Sequence, residues 1–125
     1  MFKSLLIIGL GGFFGSISRY LVYIWMGKRF AGAFPYGTFL ANILGCLFLG
    51  VLFGLAEREN VLTPQWRLFL ATGFCGSFTT FSTFAFENVA LQQKGDYATM
   101  LIYTGLSVVL GFMAAYLGFA LAKGA

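Results

Sequence analysis

The stretch Gly73-Phe74-Cys75-Gly76-Ser77-Phe78-Thr79-Thr80-Phe81-Ser82-Thr83-Phe84 decides how this chain is read. It carries no charge and lies midway along a run long enough to cross a bilayer, yet glycines and hydroxyl residues make up over half of it. Gly76 and the run Ser77 to Thr80 are poor helix formers, so an interruption is predicted between residues 76 and 80. At bilayer depth an interruption frees backbone N–H and C=O groups, which survive only when buried in protein or turned toward water and ions. Transporters and channels hold ions at breaks of this kind. The segment is therefore the candidate working part.

Composition agrees with a membrane setting. The chain has 125 residues, 59% of them apolar and 10% charged, with a mean hydropathy of +0.85. Soluble domains carry roughly 45–50% apolar and about 25% charged residues. At about 20 residues per crossing, the length suits four helices, short loops and no second domain. The predicted spans are residues 5–26, 39–56, 66–91 and 97–122, all in one all-α unit with the third helix broken. Met1-Phe2-Lys3-Ser4 before an apolar run resembles a signal peptide, but no small-residue cleavage site follows at the right place. It reads as a retained first helix.

Charge and residue usage narrow the function. The net charge of +4 could suggest an anionic partner, but the basic residues sit at loops and helix ends. Membrane surface and topology explain them better than nucleic acid does. Cys46 and Cys75 fall inside predicted spans, where packing is a better explanation than a disulfide or a metal. Histidine is absent, which removes the commonest metal ligand and general base and points away from an enzyme.

Four crossings put both termini and the second loop on one side, with Lys3, Arg58, Arg67 and Lys123. Lys28, Arg29 and Lys94 lie opposite, joined by Arg19 if it snorkels that way. Orientation follows the Lys/Arg bias, and here the two sides nearly cancel. Either the chain inserts both ways, with an antiparallel dimer as the natural assembly, or other features fix one orientation. Gly11 and Gly15, and again Gly50 and Gly54, have the small-xxx-small spacing that lets helices approach closely.

Several residues could line an ion path. Asn42 is the one amide of the second span, with Thr38 four residues earlier on the same face. It serves either as an interhelical hydrogen bond or as a donor on a polar track. Tyr103, Ser107 and Gly111 share a face of the fourth span, again as helix glue or as a hydroxyl row. Phe81 and Phe84 project together among Thr79, Thr80, Ser82 and Thr83, and positive ring edges could accept a small anion. Arg19 could draw anions into a vestibule or snorkel to headgroups. Glu87 could be a proton site, a salt-bridge partner or an interfacial residue.

Assembled, these motifs resemble the Fluc (CrcB) family of fluoride channels over nearly the whole chain. The elements are Gly11-Gly12-Phe13-Phe14-Gly15 with Arg19, Gly37-Thr38-Phe39-Leu40-Ala41-Asn42 with Gly45, and residues 73–84 with Glu87 beyond; the last is the specific one. The resemblance implies an antiparallel, dual-topology homodimer with two pores, exporting fluoride passively across the cytoplasmic membrane and conferring fluoride resistance. It implies that Phe81 and Phe84 form an aromatic ladder, that Asn42 orients the path, and that Arg19 lies at the vestibule. Thr38, Ser82, Thr83, Tyr103 and Ser107 become candidates for the polar track. Gly76 and Thr79 match positions whose backbone carbonyls, from both subunits, hold a structural sodium ion. Glu87 matches the family's acidic position, and Gly111 stands where some relatives carry a hydroxyl. A small multidrug transporter is the nearest rival, but its proton exchange needs an acid within the first span, and none is there. A non-conducting assembly subunit would leave the polar break without a purpose.

Overall fold

The computed structural model describes residues 1–58 and 61–124, and four helical spans long and apolar enough to cross a membrane account for most of them. The first is α1 (Phe2–Arg29) and the second α2 (Tyr36–Ala56). The third is composite: α3 (Pro64–Arg67), a π-helical stretch (Leu68–Cys75), α4 (Gly76–Phe78) and α5 (Phe81–Gln93). The fourth is α6 (Tyr97–Lys123). No strand occurs among the described residues, and the chain is a multi-pass membrane protein.

Local chemistry sets the helix ends. Thr63 accepts a hydrogen bond from the Trp66 amide at 3.3 Å, with Pro64 in the first turn where a missing N–H costs nothing. Asp96 caps α6 through the Thr99 amide at 3.2 Å. Lys28 and Arg29 end α1 and Lys123 ends α6, where cations complement the helix dipole. With 28 residues at about 1.5 Å each, α1 outruns a hydrocarbon core of about 30 Å, so its ends reach the headgroups.

Glycines set how closely the helices pack. A Cβ at Gly50 would lie 2.1 Å from the Ala115 carbonyl oxygen, and one at Gly118 would lie 2.4 Å from that of Leu47. The backbones of α2 and α6 therefore touch directly. Gly11 and Gly15 do the same for α1 against the π-helical stretch: added Cβ atoms would sit 2.2 Å from the Phe69 oxygen and 2.3 Å from the Phe74 oxygen.

The interruption is narrower than the sequence predicts. Gly76 keeps helical dihedrals (φ −61°, ψ −30°), and only Thr79 (φ −88°, ψ 158°) and Thr80 (φ −155°, ψ 118°) are extended. Glycine's helix penalty of about 1 kcal/mol is small beside the cost of freeing backbone groups in lipid. The π-helical stretch had no signal in the sequence.

Candidate ion pathway

Thr80 is the centre of the break, and Asn42 holds it on both sides. The Asn42 Oδ1 accepts from the Thr80 amide at 2.8 Å, and its Nδ2 donates to the Thr80 carbonyl at 3.1 Å. One side chain thus replaces the two helical partners that extended backbone gives up. Thr80 also caps α5: its Oγ1 accepts from the Thr83 amide at 3.1 Å and contacts the Thr83 and Ser82 hydroxyls at 3.2 and 3.3 Å. Of the two readings of Asn42, the bond between spans is present, and one amide hydrogen stays uncommitted. Gly45, one turn further along α2, leaves room for the Thr79 methyl group, which a Cβ would meet at 2.1 Å.

Beside the break lies a cavity of about 320 Å³, lined by Asn42, Thr79, Thr80, Phe81, Phe84 and Ser107 among others. The Ser107 Oγ is buried without a hydrogen-bond partner. An orphaned hydroxyl is costly in a dry interior, so its free proton marks a place for an acceptor. The Phe81 and Phe84 rings lie 5.8 Å apart, and Phe81 is 77% exposed on the single chain.

A second, polar cavity of about 250 Å³ opens among Tyr23, Phe34, Thr38 and Glu87. Here the Glu87 carboxylate is filled from both sides. Thr38 donates to Oε2 and Tyr103 to Oε1, each at 2.8 Å. Both donors are almost fully buried, at 1% and 0% exposure. Thr38 has a single proton, shared between Glu87 and a longer contact of 3.3 Å to the Tyr23 hydroxyl. Glu87 is thus held by hydroxyls. Tyr103 stands between the cavities, its ring 4.9 Å from Phe84 on one side and 5.4 Å from Phe34 on the other.

The remaining candidates are more dispersed. Arg19 is half-buried and lines neither cavity, one turn before Tyr23 on α1. Ser82 is exposed and Thr83 half-buried, and both join the structure through Thr80. Gly111 is buried beside Cys46, whose sulfur an added Cβ would meet at 3.6 Å. Sequence reasoning includes Thr80 in the break without giving it a role, and it passes over Tyr23 and Phe34. Thr80 had a signal, since every amide at a break needs an opposite number.

The carbonyls near the break suit a hard cation. In an unbroken helix the Thr80 amide would close onto the Gly76 carbonyl; here it goes to Asn42. Neither the Gly76 nor the Thr79 carbonyl accepts a turn or side-chain hydrogen bond among the described residues. Free carbonyl oxygens are the donor type such an ion takes, and no His, Cys, Asp or Glu cluster among the described residues offers an alternative.

Comparison with known proteins agrees with this architecture. Residues 6–119 match the family described as "CrcB-like protein, Camphor Resistance (CrcB)". The chain is 44% identical to the "Fluoride-specific ion channel FluC" of Flavobacterium psychrophilum, over 97% of its own length and 98% of the relative's. It is 46% identical to the protein of that name from Leptospira interrogans serogroup Icterohaemorrhagiae serovar copenhageni, over 93% of this chain and 91% of the relative. With Azobacteroides pseudotrichonymphae the identity is 40%, over 98% of each chain. Extended over nearly the full length and all four spans, these matches show that the chain belongs to the CrcB family.

Proposed function

We propose that this protein is a fluoride-selective channel of the cytoplasmic membrane that lets fluoride leave the cell down its gradient, and that it is not an enzyme. The observation that carries this reading is the unpartnered Ser107 hydroxyl in a cavity against the Asn42-clamped break. Fluoride is small and strongly hydrated, so a path must replace its water with donors at close range. Ser107 and the uncommitted Asn42 hydrogen supply donors without fixed positive charge, and the Phe81 and Phe84 ring edges extend the favourable surface. Neutral donors bind loosely enough for the ion to leave again. Thr83 and Ser82 hydroxyls continue the row near Thr80, and Thr38 and Tyr103 reach the vestibule end through Glu87. Arg19 raises the local anion concentration at that end.

The working unit is an antiparallel homodimer with two pores. The near-balanced basic residues favour insertion in both orientations, and the exposure of Phe81 and Gly76 on a single chain fits their being covered by a second copy. Gly76 and Thr79 carbonyls from both subunits would hold a sodium ion at the dimer centre, where its charge would tie the two breaks together.

Purified protein in liposomes tests the reading. With valinomycin-mediated potassium flux balancing charge, fluoride should be released while chloride is retained. Equal release of both anions would reject selectivity. Tags at the C-terminus should report both membrane faces; a single face would remove the antiparallel dimer.

A further inference from the structure

We propose that Phe34, on the loop joining α1 and α2, is a further aromatic rung of the anion path at its vestibule end. This rests on the fluoride-channel reading above. Phe81, Phe84, Tyr103 and Phe34 form one unbroken row of rings, with centroid separations of 5.8, 4.9 and 5.4 Å. The row runs from the cavity at the break, which Phe84 lines, to the polar vestibule, which Phe34 lines. Fully buried Tyr103 packs against a lining ring of each space, Phe84 on one side and Phe34 on the other.

An anion passing between the two spaces meets a shortage of donors. Thr38 and Tyr103 each have one hydroxyl proton, and both point at Glu87. The Glu87 carboxylate itself repels an anion. Beyond the Tyr23 hydroxyl and the Arg19 charge one turn before it, the positive potential at this level belongs to ring edges. Among the vestibule rings, Phe34 is the one in contact with Tyr103, meeting it edge to face at 75°. It is also held in place, with Tyr36 at 4.8 Å and Phe39 at 5.4 Å. A rung fixed in this way bridges the stretch where the hydroxyl row is spent.

The test uses the full chain in liposomes, reading initial fluoride efflux, its half-saturating fluoride concentration and chloride release. Phe34→Leu should lower fluoride efflux about tenfold, the upper range of an aromatic contribution, and Phe34→Tyr should restore it. Pentafluorophenylalanine in place of Phe34 keeps the ring's shape but reverses its edge potential, so it should also suppress efflux and raise the half-saturating concentration. It separates an edge role from packing even if Phe34→Leu folds poorly. Wild-type efflux and saturation with the fluorinated ring would overturn the role of Phe34 while leaving the channel intact. A wild-type protein that releases no fluoride would overturn both.

Discussion

The C-terminal half of α2 meets α6 backbone to backbone through Gly50 and Gly54, whereas its N-terminal half meets the third span through the side chains of Thr38 and Asn42. One region is dry and closely packed and carries its polar groups inside its own helices. The other leaves helical geometry at Thr79 and Thr80, and an amide from another span takes up both backbone groups of Thr80. The lesson is that close backbone packing and buried polar bonding are assigned to different lengths of the same helix. Glycines hold a seam that needs no chemistry, and buried polar side chains appear where the backbone is open.

Three substitutions test that contrast. The largest effect is expected from Asn42→Ala, which orphans two buried Thr80 groups at about 1–3 kcal/mol each. Thermal unfolding in detergent should show a loss of about 2–6 kcal/mol, and an unchanged midpoint would mean that water or a neighbouring chain satisfies Thr80 instead. Gly50→Ala comes next. Its methyl group would press on the Ala115 oxygen and should cost about 1–3 kcal/mol, with fluoride efflux per folded protein kept at the wild-type rate. Lower efflux without lower stability would draw the α2–α6 seam into the path. Ser107→Ala should have the smallest effect on folding. Removing a buried hydroxyl without a partner should leave stability unchanged or raise it by up to about 1 kcal/mol, while fluoride efflux falls. A clear loss of stability would show that the hydroxyl is bonded within the protein.

Much of the seam was legible in the sequence, and only part of the path. Hydropathy and glycine spacing are local patterns, so the four spans and the close approach at Gly11, Gly15, Gly50 and Gly54 could be read directly. The importance of Asn42 could be read too, because an amide in hydrocarbon needs a partner. That its partner is Thr80, 38 residues away, depends on how two spans meet. Propensity spreads the break over Gly76 to Thr80 because it scores residues one at a time. Its position at Thr79–Thr80 reflects where Asn42 reaches. Glu87 remained ambiguous because one chain pattern suits a proton site, a salt bridge and a surface acid alike. The placement of Thr38 and Tyr103 against its two oxygens shows a carboxylate held by hydroxyls and not by a cation. Phe34 gave no signal, since a ring in a short loop has no periodicity to betray its contacts.

On the proposed reading, fluoride passes beside the break that Asn42 clamps. The most direct measurement is fluoride efflux, read with an electrode, from liposomes holding equal amounts of folded wild-type and Asn42→Ala protein. A path at the break predicts rapid fluoride loss from the wild type and background leakage from the variant. A folded variant that empties its liposomes at the wild-type rate would contradict it.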